Sequence, residues 1–285
     1  MTTYDFSVVV PVLNAQSFIV KCIASLIRQR KAGIKLQIIV IDGGSVDKTL
    51  KLLEDYSEAI DILISEKDLN QTKSIKLGFE LAEGKYLSWL NADDIYNENS
   101  LLEVKKTFES NKNISFIYGN CVYINEQDEI LKVNNKNSKL LINLLNFTDF
   151  MLSQEACFWT KETYDESGGL DPEIDYAMDY ELFCRLIKKG RFLYINENLA
   201  TCLVHKNQRH REKRGNYTYW NIERANIQRR NNYRQTVIIR YFLVIIFMVY
   251  KNIVVEKKST LSITKINSVV LFKPFSTVPI IQRDL

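Results

Sequence analysis

Long apolar runs are scarce in this chain. The opening residues, Met-Thr-Thr-Tyr-Asp, show no basic segment followed by an apolar one, so no signal peptide is read there. The most apolar stretch, 236–250, is interrupted by Arg240 and falls short of the roughly 20 apolar residues that a spanning helix needs. Cysteine is sparse as well: Cys22, Cys121, Cys157, Cys184 and Cys202 are odd in number, well separated and set mostly among apolar neighbours. That spacing argues against a disulfide framework and predicts reduced, buried thiols in a cytoplasmic protein. There is no internal repeat, no low-complexity tract and no recognised nucleic-acid module, so no nucleic-acid partner is expected.

What is present points to an ordinary folded protein. The 285 residues are 46% hydrophobic and 25% charged, enough to bury a full core as one large domain or one domain with an appendage. Up to about residue 110, apolar runs alternate with amphipathic stretches, the pattern of strands and crossover helices in a mostly parallel sheet. Strands are predicted over 6–12, 36–41, 62–65 and 86–90, and helices over 17–29, 47–56 and 71–82. Ser100 and Glu103 suggest a capping box at the head of a helix reaching residue 110. Beyond it, 114–118, 121–124 and 130–133 read as strands, the last two forming a hairpin across a polar turn at 125–129. The expected class is α/β, a Rossmann-type mixed sheet flanked by helices, whose second half builds the other wall of a cleft.

Acids at strand ends carry the chemistry. Tyr-Leu-Ser-Trp-Leu-Asn-Ala-Asp-Asp, 86–94, is a buried strand ending in two carboxylates, and ligands of open α/β sheets bind at carboxyl ends of strands. Adjacent buried acids repel and lose hydration, which a divalent cation offsets; the alternative is a helix cap. Asp42 ends the second strand and would face the same crevice. It suits a hydrogen bond to a nucleoside, or equally a turn carboxylate bonded to Gly44 and Ser45. Together Asp42 and Asp93 suit a sugar nucleotide. Asp179, before the helical stripe Leu182, Phe183, Leu186 and Ile187, is either a helix cap or a general base.

In this order the segments resemble the family 2 glycosyltransferases of the GT-A fold, over roughly residues 6–205. The resemblance rests on Ser-Val-Val-Val-Pro-Val-Leu-Asn at 7–14, Ile-Val-Ile-Asp-Gly-Gly-Ser-Val-Asp-Lys-Thr at 39–49, Ser-Glu-Lys-Asp at 65–68 and Leu-Asn-Ala-Asp-Asp at 90–94. Gly-Gly-Leu-Asp at 168–171 and Met-Asp-Tyr-Glu-Leu at 178–182 complete it. It implies an inverting, metal-dependent transferase acting on a nucleotide diphosphosugar, most simply a UDP-sugar, in surface polysaccharide or glycolipid synthesis.

The resemblance also assigns residues. Asn91-Ala92-Asp93 falls on the family's Asp-x-Asp motif, with Asn91 in place of its first Asp. Asp93, with Asp94 and His205, is the implied ligand set for Mg²⁺ or Mn²⁺. Pro11, Val12, Asn14, Asp42 and Gly44 line the donor pocket, Asp179 is the catalytic base, and Trp159, Gly169, Asp171 and Glu181 stand on the acceptor side. His205 is alternatively a polar strand-end residue, and Trp159 alternatively a core aromatic. The implied division is a catalytic domain over 1–205, with a nucleotide-sugar half at 1–110 and an acceptor half at 111–205, followed by an extension at 206–285. A sugar-1-phosphate nucleotidyltransferase and a catalytically silent binding protein of the same fold are the alternatives.

The extension is basic, then apolar. Residues 205–234 hold nine Lys or Arg and two Glu, more than the whole net charge of +4. The following stretch, 236–255, fits a peripheral membrane contact or a homodimer surface, each basic residue near anionic lipid contributing about 1 kcal/mol. Lipid-linked glycan acceptors sit at such a surface, and the expected location is the cytoplasmic face of the cell membrane.

Overall fold

A computed structural model describes residues 4–135, 152–206 and 214–230. The stretch expected to meet a membrane or a second copy, 236–255, lies outside the described residues, as does 136–151 within the expected acceptor half. The fold is α/β, with one mixed sheet carrying helices on its faces.

The first half consists of parallel units. β1 (Phe6–Val12), β2 (Leu36–Asp42), β3 (Ile62–Ser65) and β4 (Tyr86–Trp89) pair in parallel, with α1 (Ile19–Lys31), α2 (Thr49–Glu54) and α3 (Gln71–Glu80) as their connections. β1, β2 and β4 are buried along their whole length, which explains why they read as continuous apolar runs rather than alternating ones. Gly78 on α3 lies so close to β1 that a Cβ would come within 2.4 Å of Val9 Cγ1, so only glycine permits this helix-to-strand contact.

The second half reverses direction. β5 (Asp94–Tyr96) and α4 (Ser100–Ser110) precede the hairpin of β6 (Phe116–Ile124) and β7 (Ile130–Asn134). β8 (Cys157–Thr160), α5 (Lys161–Ser167), α6 (Met178–Lys189), β9 (Phe192–Leu203) and α7 (Arg214–Arg230) follow. The strand order is β3-β2-β1-β4-β8-β6-β9-β5, with β7 paired to β6. β8 runs antiparallel to β4 and β6, β9 parallel to β6, and β5 antiparallel to β9.

Two local expectations change. The segments at 114–118 and 121–124 form one strand, β6, which Gly119 crosses beside Leu199 of β9. Ser100 is not the N-cap: Asn99, in the left-handed region at φ 59°, takes that place without a side-chain bond. The Ser100 hydroxyl instead donates to the Asn97 and Leu199 carbonyls, tying the helix head to β9.

Side chains alternate across the sheet into two cores. Val8, Val10, Ile38 and Val40 face α1 and α4, whereas Val9, Ile39, Trp89 and Trp159 face α3 and α6. Ile227 of α7 joins the second core, so part of the basic extension packs on the same sheet. The five cysteines are buried and free, as their apolar settings predict.

Candidate active site

Strand direction brings the expected residues to one edge of the sheet. The carboxyl ends of β1, β2, β3 and β4 lead to Asn14, Asp42, Ser65 and Asn91. Because β8 is antiparallel to β4, the short 3-10 turn before it, Gln154–Ala156, lies at this same edge. There Gln154 Nε2 donates to the Trp89 carbonyl at 2.7 Å. β9, parallel to β6, delivers Cys202 and His205 to it. The head of α6 is held there by Thr72, in the first turn of α3, whose hydroxyl donates to the Ile174 carbonyl at 2.8 Å and touches Met178 Sδ.

Asp93 and His205 meet at this edge, Nε2 to Oδ2 at 3.0 Å. The His205 ring also lies against Phe18, with centroids 4.5 Å apart, so its orientation is fixed. Asn91, in place of the first acid, has its amide engaged on both sides: Oδ1 accepts from Gln71 Nε2 at 2.8 Å and Nδ2 donates to Asp94 Oδ2 at 3.2 Å. One carboxylate and one imidazole are a donor set that would suit a divalent cation, Mn²⁺ more than Mg²⁺ because of the imidazole.

Asp94, expected as a further ligand, is enclosed instead. It is 3% exposed, lies in β5 opposite Cys202, and its Oδ1 has no partner among the described residues. Burial, then Asp93 and Glu155, hold its carboxyl well above the usual range. Its place in a strand ladder, rather than in the loop that presents Asp93, keeps it in the wall.

Asp179 opens α6 as the stripe predicts, and burial pushes its carboxyl up to about 6. The helix head is set from outside the first half of the chain: Glu223 of α7 accepts from the backbone N–H groups of Asp175, Tyr176 and Ala177 at 3.0, 2.7 and 2.9 Å. A fourth acid escaped the sequence reading. Glu155, in the turn anchored by Gln154, is pushed up to about 7 by burial and by the nearby Asp179 and Asp93 carboxyls. Asp93, Glu155 and Asp179 share one trait: each is partly exposed while both of its chain neighbours are buried. The signal that would have found Glu155 is a lone acid two residues before the apolar run that opens the strand Cys157–Thr160.

On the donor side, the loops after β1 and β2 are stitched together. Asn14 N donates to Ser45 Oγ at 2.8 Å, Val46 N to Asn14 Oδ1 at 2.9 Å and Ala15 N to Thr49 Oγ1 at 2.8 Å. Asn14 is exposed at φ 50°, flanked by the exposed apolar side chains of Leu13 and Val46. Pro11 and Val12 are buried beneath, Val12 opposite Asp42 in the ladder. Asp42 itself is wholly enclosed, its oxygens accepting from Gly44 N, Ser45 N and the Ser45 and Ser65 hydroxyls. It is the turn carboxylate, not a nucleoside contact. Gly44 has φ +90°, and a Cβ there would press within 3.0 Å of Lys67.

The acceptor-side expectations hold less well. Trp159 is 0% exposed, packed against Phe79, Trp89, Phe116 and Phe183, and reaches no substrate surface. The alternation of β8 turns it inward. Glu181 is occupied by both nitrogens of an Arg185 fork that also donates to the Ser167 carbonyl, clamping α6 to the end of α5. Gly169, φ +68°, lies against the Tyr164 ring, and Asp171 Oδ1 accepts from Glu173 N at 3.0 Å, so these two shape the loop leading to α6. A separate groove of about 590 Å³ opens among Lys112, Ser115, Thr160, Lys189 and Arg191, at the opposite ends of β6 and β8, and none of the acids reaches it.

Residues 7–167 match the family model described as Glycosyl transferase family 2. Among curated proteins, the chain is 22% identical over 230 residues to the chondroitin synthase of Escherichia coli, covering 80% of this chain and 31% of that protein. It is 28% identical over 99 residues to the poly(ribitol-phosphate) beta-N-acetylglucosaminyltransferase TarS of Staphylococcus aureus, covering 34% of this chain and 17% of that one. The chain therefore spans about a third or less of these relatives. Among solved structures, S. aureus TarS 1-349 in complex with UDP-GlcNAc superimposes with a TM-score of 0.59 at 15% identity, covering 72% of this chain and 60% of that one. The mannosyltransferase PcManGT from Pyrobaculum calidifontis, in complex with GDP-Man and Mn²⁺, gives 0.54 at 17% identity, covering 72% and 58%. The fold is shared with both.

Proposed function

The chain belongs to glycosyl transferase family 2, whose model spans more than half of it, and on that premise we propose inverting transfer of a sugar from a nucleotide diphosphosugar to an acceptor hydroxyl. One observation carries the reading: Asp93, joined to His205 at 3.0 Å, and Asp179 emerge from buried surroundings at one edge of the sheet. Asp93 and His205 would hold Mg²⁺ or Mn²⁺ there. When bound, the cation offsets the negative charge that grows on the departing diphosphate, an effect worth several kcal/mol.

The remaining chemistry belongs to the chain. Asp179 accepts the acceptor hydroxyl proton as that oxygen attacks the anomeric carbon, and its raised carboxyl is basic enough to take it. Glu223 fixes the head of α6 and hence the Asp179 position. The stitched loops around Asn14 and Ser45, with exposed Leu13 and Val46 beside them, form the nucleoside edge. TarS bound to UDP-GlcNAc supports a UDP-sugar as donor.

Relatives named for chondroitin and teichoic acid synthesis support a role in surface polysaccharide or glycolipid assembly, with a glycan or lipid-linked glycan as acceptor. In this reading 1–205 is the catalytic domain, and the basic residues of 205–234 with the apolar 236–255 lie against the cytoplasmic membrane face where such acceptors reside. Among the described residues no helix is long and apolar enough to cross a membrane. A nucleotidyltransferase is less favoured because Val-Pro-Val-Leu-Asn-Ala lacks the glycine-rich basic loop of such enzymes. A silent binding protein is less favoured because the acids are retained.

The test is Mn²⁺-dependent release of UDP from a panel of UDP-sugars. Release by the parent and its loss in Asp93→Ala are expected. Pyrophosphate-dependent exchange, or no nucleotide binding with any donor, would overturn the assignment.

A further inference from the structure

The transfer reading leaves Glu155 without a task, yet its setting is that of a built contact. Its turn is rigid: Gln154 is bonded to the Trp89 carbonyl, and Ser153 accepts from Asn134 Nδ2 at 2.6 Å and lies 3.1 Å from the Tyr123 hydroxyl. Both neighbours, Gln154 and Ala156, are buried, while Glu155 itself is partly exposed. No Lys or Arg pairs with it among the described residues. Among the described residues the side chain that engages its carboxyl is the Cys202 thiol, a weak donor that leaves acceptor capacity on the two oxygens.

Two other uses fit less well. As a metal ligand, Glu155 clusters with Cys121 and Cys202 rather than with Asp93 and His205. Those thiols are in direct contact with one another and almost fully buried; the contact and burial raise the Cys202 thiol, while at Cys121 the contact lowers and burial raises, with a net rise. As an alternative base it would duplicate Asp179, which already heads a helix capped from outside.

Reaction geometry supplies the remaining use. In an inverting displacement the base and the departing diphosphate lie on opposite faces of the transferred sugar. Glu155 stands beside the loop that presents Asp93: its turn hangs from the Trp89 carbonyl at the end of β4, and its carboxylate lies within 4.8 Å of the thiol of Cys202, which pairs with Asp94. An acid at that place faces the sugar held between the base and the diphosphate.

Resting on the transfer reading, we propose that Glu155 is a specificity-determining residue: its carboxyl accepts hydrogen bonds from ring hydroxyls or an amide N–H of the donor sugar and selects which sugar is transferred. A polar partner held in a buried wall discriminates strongly, since a sugar lacking the matching donor leaves the carboxyl unpaired.

The experiment is calorimetric titration of parent, Glu155→Gln and Glu155→Ala with UDP alone and with UDP-Glc, UDP-Gal, UDP-GlcNAc and UDP-GalNAc, all with Mn²⁺. Affinity for UDP should be the same in all three proteins. Affinity for the preferred UDP-sugar should fall about tenfold or more in Glu155→Ala, and the preference between 4-epimers should shrink in both variants. Unchanged UDP-sugar preference in variants that still bind UDP would overturn the Glu155 assignment and leave the transfer reading standing. Failure of the parent to bind UDP or any of the four sugars would overturn both.

Discussion

His205 Nε2 stands 3.0 Å from Asp93 Oδ2 although 112 residues separate them along the chain. The contact joins the loop after β4 to the end of β9, closing one side of the cleft. If the pair holds the cation, Asp93→Ala should abolish Mn²⁺-dependent UDP binding, and His205→Ala should weaken it about 10- to 100-fold. Calorimetry with UDP and Mn²⁺ checks both. Parent-like titration of either variant would rule out that residue as a ligand.

The Asp179 carboxyl, raised to about 6 by burial, acts as a base only when ionised. Below pH 6 it is mostly protonated, so turnover should fall about tenfold per pH unit toward acid and level off above about pH 7. Glu155, ionising near 7 in the same site, broadens the upper part of the rise. Asp179→Asn should lower kcat by about 10² to 10⁴ and remove the part of the acid limb centred near pH 6. A pH–rate profile of parent and variant decides it, and an unaltered acid limb would assign that limb to another group.

Glu223 accepts from three successive backbone N–H groups ahead of α6. Replacement by alanine removes that acceptor and should destabilise the fold by about 1–3 kcal/mol, measured by urea unfolding. Glu223→Gln keeps one carbonyl oxygen and should lose less. Equal stability of parent and Glu223→Ala would mean that water or another group caps the helix.

The approach of Gly78 to Val9 predicts a packing defect of known sign. A methyl group at 78 would meet both Val9 methyls, at 2.4 and 2.7 Å, so Gly78→Ala should cost about 1–3 kcal/mol. Because the clash is with a single side chain, Val9→Ala in the same protein should restore part of the loss. Thermal unfolding of the two single variants and the double variant completes the cycle, and additivity would show that the strain lies elsewhere.

The parallel half was legible because its strands are covered on both faces, so burial and apolar runs coincide in β1, β2 and β4. Asp93 and Asp179 could be found because a strand end and a helix head leave marks in sequence: an apolar run that stops, and a stripe that starts. β9 left no such mark. Its sequence, FLYINENLATCL, mixes polar and apolar residues, and it is a strand because β6 and β5 pair with its backbone. The extent of β9 in turn decides where His205 lies.

The residues themselves therefore determined the α/β class, the positions of the first four strands and the acids standing at their ends, since local periodicity and burial are properties of neighbours in the chain. Tertiary structure decided which acids stay exposed at the edge of the sheet. Asp42 and Asp94 were withdrawn into hydrogen-bonded walls, and Glu155 was left partly exposed at the sheet edge that carries Asp93. Strand pairing between distant segments sets that exposure, and no local pattern encodes it.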